Sequence, residues 1–346
     1  VQVDLNAEFP TENYQDLAEH GFLKLVIPEE YGGYGFSLGE YATIGAEIGK
    51  YCGATALTFN MHTSSMMWLR FMYEMPHLSA EEKAAFGAMR ERGHCDYYSI
   101  VCTEHFEGQD PRHEDTMDFA VHKDCKGLSV VGEWDPLGMR GTCSRDLVLK
   151  DVFVSEEDLM MPAGVFVKTL PHWPAMMATL TPAYMGVAQS AYDFTVNYLR
   201  GDLPGQPPID RRVYPTKRAT VARMYQKLTE MRTLWTAAFF EAKPLPSKAE
   251  VMRLYAAQLA VMDGVQEVAA MAIRTCGGQS MLKTLPIERI YRDSRCGALM
   301  LPYTTEIMED YLSMMSVYDM EEIDDAPNDT VSARTSLWRP YSDNAA

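Results

Sequence analysis

The chain has no long hydrophobic run. Its apolar stretches, such as LVIP at 25–28, fall far short of the roughly 20 residues a helix needs to cross a bilayer, so a membrane-spanning protein is not expected. Basic residues are few: 31 Lys and Arg stand against 48 Asp and Glu, for a net charge of −17. Such a field repels phosphate backbones unless a local basic patch overrides it, and nucleic acid is not an expected partner. The seven cysteines (52, 95, 102, 125, 143, 276, 296) are scattered, odd in number and without a C-x-x-C pair. That pattern argues against a disulfide framework or a zinc knuckle, and no metal site is expected. The opening VQVDLNAEF has neither the basic segment nor the apolar core of a secretory signal. The unpaired cysteines make a reducing cytoplasm the expected compartment. There is also no internal repeat and no low-complexity tract.

What is present is ordinary globular composition: 346 residues, 47% hydrophobic and 23% charged, enough for about two or three domains. The 24 methionines are the one unusual count, and adaptable packing between helices accounts for them. Apolar residues at helical spacing fill TENYQDLAEHGF, Leu38 to Lys50 and Ala54 to Tyr73, with Gly-rich PEEYGGYG as a loop between. Around Asp96 the period changes. YYSIVCTE, DFAVHKD, GLSVVGEW and RDLVLKDVFVSE are β-branched or aromatic segments broken by Gly, Pro and Asp. The helical period returns near residue 170 and lasts to about 316. The expected organisation is mainly α with a small β-domain: a helical domain over 1–95, a shortened middle β-domain over 96–168, a four-helix bundle over 169–320 and a tail over 321–346.

Three stretches carry a resemblance. GFLKLVIPEEYGGYG near the start, WDPLGMRGTCSRDLVLKDVFV in the middle and IRTCGGQSMLKTLPIERIYRDSR near the end are similar, in that order, to signature segments of the acyl-CoA dehydrogenase superfamily. The resemblance covers most of the chain. It implies an N-terminal helical domain, a β-domain and a C-terminal four-helix bundle, with FAD between the β-domain and the bundle, in a homotetramer or homodimer. It also implies cofactor contacts. Gly277 and Gly278 match a loop that touches the FAD pyrophosphate of a neighbouring subunit; from the residues alone, the pair reads first as a helix C-cap. Arg274 stands where relatives carry Gln, and its guanidinium suits phosphate. Arg200 matches an Arg that reaches the partner's FAD, although the relatives' Phe-Gly after it is Leu203–Pro204 here. As a cation in the last turn of a helix it is favoured whatever its function.

Thr103, in CTEHFEGQD, opens a turn whose backbone and hydroxyls contact flavin and thioester in relatives. Glu104, Gly108 and Asp110 are kept, and Gln109 replaces Ser. A strand end followed by a polar turn accounts for these residues equally well. Thr304 and Glu306 match FAD-contacting positions. In ERIYRDSR the charges read as structural, with Glu288, Arg292 and Arg295 spaced to share a helix face and pair.

The resemblance fails at the chemistry. Removing the α-proton of an acyl thioester while flavin takes the β-hydride needs a positioned carboxylate. The position relatives use near the C-terminal helix is Pro302, or Leu301 in an ungapped match, and the alternative in the first bundle helix is Met176. None of these accepts a proton. The remaining acid–base candidates are Glu306, Tyr303, His62 and His105; Tyr303 beside Pro302 reads as packing and His62 as a structural histidine. About 25 residues, Pro111 to Asp135, join the Thr-Glu turn to the Gly-Met-Arg segment, and the Trp-x-x-Thr element that backs the flavin in relatives does not occur.

The first expectation is a FAD-dependent oxidoreductase acting on the CH–CH group of an acyl thioester carried on CoA or an acyl carrier protein. The competing expectations are a flavin oxidase or monooxygenase on a non-thioester substrate, which needs no α-proton base, and a flavin-poor homologue used for binding or assembly. The empty base positions make a prediction. Simple saturated acyl-CoAs should be oxidised about 10²–10⁴-fold more slowly than by an enzyme with its base in place, measured as anaerobic flavin bleaching by butyryl-CoA. Fast bleaching that Glu306→Gln abolishes would place the base at Glu306.

Overall fold

A computed structural model describes residues 2–74, 79, 97–108, 112–165, 178–243, 246–300 and 304–318. The expected tail over 321–346 and the positions Leu301, Pro302, Tyr303, Met176, Gln109 and Asp110 lie outside the described residues. The first helical layer comprises α1 (Gln2–Asn6), α2 (Thr11–Glu19), α3 (Leu38–Tyr51) and α4 (Gly53–Glu74). Five short strands follow: β1 (Tyr97–Thr103), β2 (Thr116–His122), β3 (Leu128–Val131), β4 (Asp146–Leu149) and β5 (Leu159–Met161). The second helical layer is α5 (Thr181–Arg200), α6 (Pro215–Phe240), α7 (Lys248–Cys276), α8 (Pro286–Ser294) and α9 (Thr305–Val317). The fold is mostly helical with a small sheet region, as the acyl-CoA dehydrogenase resemblance implies.

Local chemistry sets the helix ends. Ser37 and Glu40 close a capping box at the start of α3, and Ser247 and Glu250 another at α7, each satisfying two otherwise unpaired backbone donors. Proline opens α6 and α8 in the first turn, where its missing N–H costs nothing. The segment TENYQDLAEHGF is helical but lacks the side-chain cap its Thr suggests: the capping position is Pro10, and Thr11 is already inside the helix. The loop PEEYGGYG contains a single 3₁₀ turn at Glu29–Tyr31, held from α4 by Arg70, whose guanidinium donates to the carbonyls of Gly35 and Phe36.

The two helical layers meet where α3 crosses α5. A Cβ on Gly186 would fall on the Ala46 carbonyl and the Gly49–Lys50 backbone, and one on Gly49 would fall on the Ala183 backbone. Only glycine lets the helices approach this closely. Around the crossing lies one large core in which Tyr41, Phe59, Tyr184 and Phe239 are almost fully buried. Two polar pairs lie within it: Tyr41 donates to Asn60 Oδ1 at 2.9 Å, and Trp235 Nε1 to Thr181 Oγ1 at 2.9 Å. Met67, Met224, Met231 and Met262 fill gaps in the same core, and no group of His, Cys, Asp or Glu suited to a metal occurs among the described residues. A second, smaller core joins Val251 and Tyr255 of α7 to Met308, Tyr311 and Met315 of α9.

The strands form two sheets, β1-β2-β5 and the pair β3-β4, all antiparallel. The loop between β3 and β4 is tied to α8. Asp293 Oδ1 accepts from the Met139 N–H at 2.6 Å, holding a non-glycine residue at φ +52°. Arg292 makes two bonds to Asp4, at 3.1 and 2.7 Å, and two to Glu288, at 2.8 and 2.9 Å. Glu288 and Arg292 thus pair as their spacing suggests. Arg295 does not join them: at the end of α8 it turns to Gln266 Oε1 (2.9 Å) and the Tyr291 hydroxyl (2.6 Å). No described helix is long and apolar enough to cross a membrane.

Two predictions follow from these contacts. Gly186→Ala should cost about 3 kcal/mol in urea unfolding, because backbone must move. Gly264→Ala should cost less, since its Cβ meets the flexible Met231 thioether; an equal loss at the two sites contradicts the packing account. The second concerns Asp293, whose burial pushes its pKa up to about 6 from 3.8. An acid whose pKa rises on folding stabilises the fold at low pH and loses that contribution as pH climbs from about 4 through about 6. Asp293→Asn removes the titration. Its stability relative to wild type should therefore improve by up to about 3 kcal/mol between pH 4 and 7.5, and a pH-independent difference contradicts the assignment.

Candidate functional site

The residues singled out in the sequence fall into three places and one isolated position. The first place is the face of β1 and β2. Directly opposed antiparallel residues share a face, and the register sets Thr103 opposite Thr116, Val101 opposite Asp118 and Ser99 opposite Ala120. Thr103 Oγ1 lies 3.1 Å from Thr116 Oγ1. Beyond Thr103 the chain turns, and the Glu104 N–H returns to the Asp115 carbonyl at 2.9 Å. Gly108, at φ +81°, has open space around it.

The same face holds a carboxyl that sequence reasoning passed over. Asp118 is 1% exposed and accepts from the Ser99 hydroxyl at 3.0 and 2.9 Å. Burial pushes its pKa up to about 6, against the lowering effect of the Ser99 and Phe119 hydrogen bonds. Burial, and then the Asp118 charge, raise the Cys102 thiol as well. A signal was present: in a strand reading TMDFAVH, period-two alternation puts Asp118 on the same side as Thr116 and Ala120.

The second place is the end of α5 and α7. The Tyr198 hydroxyl donates to Gln279 Oε1 at 3.1 Å, which brings Arg200, Arg274, Gly277 and Gly278 to one end of the molecule. Gly277 caps α7 at φ +80° and ψ −163°, a conformation essentially reserved for glycine. Gly278 is different: a Cβ there meets nothing within 4 Å, so nothing in this chain requires it to be glycine. Arg200 pairs with Asp202 at 3.0 Å, and Arg274 is exposed. Lys217 donates to the Thr275 carbonyl, and Arg211 lies 4.2 Å over the Tyr198 ring. A basic patch therefore forms locally on an acidic chain.

The third place is the start of α9. Thr304 caps it, its hydroxyl accepting from the Ile307 N–H at 3.4 Å. Glu306 lies near Asp263 of α7, whose pKa is raised by burial and by Glu309, Glu267 and Glu306. Eleven residues separate Asp263 from Arg274, about 16 Å along a helix. The Glu306 end is thus acidic where the Gly277 end is basic. His62 stands apart. Its Nε2–H donates to the Leu23 carbonyl at 2.9 Å, and burial holds the ring below the usual imidazole range. It pins the turn at 22–24 to α4.

A cavity of about 210 Å³ opens at the junction of α1, α8 and the loop 139–141, lined by Asp4, Asn13, Arg140, Arg289 and Asp293 among others. Its guanidinium groups are spent on structure: Arg140 donates to the Asp4 carbonyl and Arg289 to the Tyr51 carbonyl. None of the implied cofactor residues lines it.

The acyl-CoA dehydrogenase N-terminal domain profile matches residues 1–74, and the C-terminal domain profile residues 176–313. L-evernosamine nitrososynthase of a Micromonospora species is 26% identical over 364 residues, spanning 90% of this chain and 84% of the relative. The short-chain specific acyl-CoA dehydrogenase of Homo sapiens mitochondria is 24% identical over 85% of this chain and 80% of its own. Among solved structures, KijD3 in complex with FMN and dTDP-3-amino-2,3,6-trideoxy-4-keto-3-methyl-D-glucose superposes with a TM-score of 0.79, at 20% identity, covering 97% of this chain and 91% of that one. Two family domains in the expected order, on the expected helical and sheet layers, place the chain in the acyl-CoA dehydrogenase superfamily of flavin enzymes.

Proposed function

We propose that this protein is a flavin-dependent oxidoreductase of the oxidase or monooxygenase type, acting on a non-thioester substrate. The observation that carries the reading is the absence of a proton acceptor at Leu301, Pro302 and Met176, where acyl thioester chemistry needs one. Resemblance to a nitrososynthase at least as strong as that to thioester dehydrogenases supports it. Dehydrogenation of an acyl thioester on CoA or a carrier protein is the second reading, favoured by the human short-chain relative.

The residues fit a flavin best at its phosphate end. The Gly277–Gly278 backbone would lie against phosphate, with Arg200 and Arg274 supplying charge; Thr103 would face the ring from the β-domain. A pyrophosphate there favours FAD, whereas the carboxylates around Thr304 and Glu306 offer a diphosphate nothing. When bound, the flavin supplies two-electron chemistry, accepting electrons from a donor and passing them to an acceptor such as oxygen. The chain's own contribution is to hold phosphate on glycine backbone and to keep the site between the domains proposed over 96–168 and 169–320. The open space beside Gly278 leaves room for a group from a second copy, so a homodimer or homotetramer belongs to the same proposal. So does a cytoplasmic location, which the free cysteines suit.

The test is flavin content. Purified protein should show flavin absorbance, and the flavin released by heat identifies FAD or FMN. Gly278→Val should keep the fold, because this chain leaves the space empty, and should lose at least about tenfold in flavin affinity. Equal flavin retention in variant and wild type contradicts the phosphate role. Bleaching by butyryl-CoA without oxygen would favour the thioester reading instead.

A further inference from the structure

The cavity of about 210 Å³ between α1, α8 and the loop 139–141 contains none of the residues proposed to hold flavin. It has room for about seven water-sized atoms. Asp4, Asp293, Arg140 and Arg289 all line it, and the cavities that stay empty in proteins are apolar ones.

Two of these four charges are satisfied elsewhere. Asp4 accepts twice from Arg292, and Arg140 pairs with Asp135. Arg289 and Asp293 do not satisfy each other: Arg289 Nε stands 4.0 Å from Asp293 Oδ2, beyond hydrogen-bond reach. Asp293 is 5% exposed. Its Oδ1 is taken by the Met139 N–H, and Oδ2 accepts no hydrogen bond among the described residues. The structural bonds of the two guanidinium groups use only some of their donors. Arg289 gives Nη2 to the Tyr51 carbonyl, and Arg140 gives Nε and Nη1 to Asp4, Asp135 and Pro136. Arg289 Nη1 and Arg140 Nη2 have no partner among the described residues. An acceptor without a donor and donors without an acceptor thus belong to residues around one space.

The loop that brings Arg140 and Gly141 here is strained. Met139 and Cys143, on either side of the turn, are non-glycine residues at φ +52° and +49°. Such backbone persists only where the surroundings over-determine it, and it gathers at ligand clamps. The chemistry that matches both halves of the lining is a zwitterion. A lone carboxylate would leave Asp293 Oδ2 unpaired and add like charge beside it, and a lone amine would face Arg289. A molecule with both charges on the two sides of one carbon offers each group its complement.

We propose that this cavity is a binding site for a small free α-amino acid, its carboxylate received by Arg140 and Arg289 and its ammonium by Asp293. The proposal does not depend on the flavin reading. Glycine, alanine and serine fit the volume. The bound molecule ties α8 to the loop 139–141 beside the bond from Met139 to Asp293.

The test is calorimetric titration of L-alanine into the purified chain at about pH 7.5, where Asp293, its pKa pushed up by burial to about 6, is ionised. One saturable site is expected. Propionate and ethylamine, which carry one charge each, should bind at least about tenfold more weakly. Asp293→Asn keeps an oxygen for the Met139 N–H and removes the charge, and Arg289→Gln removes the guanidinium. Each should weaken L-alanine at least about tenfold while circular dichroism matches wild type. Peptide-resolved alkylation gives a second readout that needs no variant. Cys52 lines the cavity, so saturating L-alanine should slow its reaction with iodoacetamide several-fold and leave the exposed Cys102 unchanged. Absence of saturable binding by glycine, L-alanine and L-serine, propionate binding as tightly as L-alanine, or affinity that survives both substitutions overturns the proposal. So does equal alkylation of Cys52 with and without L-alanine.

Discussion

The close approach of α3 and α5 is the constraint on which the rest of the molecule depends. Gly49 and Gly186 put backbone against backbone, and interiors packed to crystal density do not absorb even one extra methyl without displacement. Because the helices belong to opposite layers, this crossing sets the angle at which the N-terminal helices meet the bundle. The capped ends of α3 and α7 and the Tyr41–Asn60 bond then have defined places. The glycine at 186 is explained by this contact.

Charge is distributed with more purpose than the net value of −17 suggests. Cations gather where α5 and α7 end, beside Gly277. Those helix ends expose carbonyl groups, and Lys217 and Arg200 satisfy the negative end of the helix dipoles as well as creating a phosphate-compatible surface. Carboxylates gather instead at Asp263, Glu306 and Glu309. Along α7 the potential thus changes sign within about three turns.

Two buried acids are held in different ways. Asp293 and Asp118 are both raised to about 6 by desolvation. Asp293 is spent on Met139 and flanked by Arg289 and Arg292, so its role is to pin a left-handed backbone to α8. Asp118 has one hydroxyl partner that reaches the surface.

Local patterns carried much of the architecture. Apolar spacing of 3.6 placed α3, α4 and the bundle helices, and the change to period two near Asp96 marked the strands, since each element must turn one face to the core. Motif order identified the superfamily. The sequence by itself also shows that Pro302, Leu301 and Met176, which the resemblance aligns with base positions, carry no proton acceptor. It did not separate Gly277, needed for its backbone conformation, from Gly278, which has space around it. Nor did it reveal that Arg295 abandons Glu288 for Gln266, or that Ser99 meets Asp118 across two strands. Those pairings join residues far apart in the chain, and they were decided only by the tertiary structure, because hydrogen bonds and desolvation depend on which surfaces packing brings together.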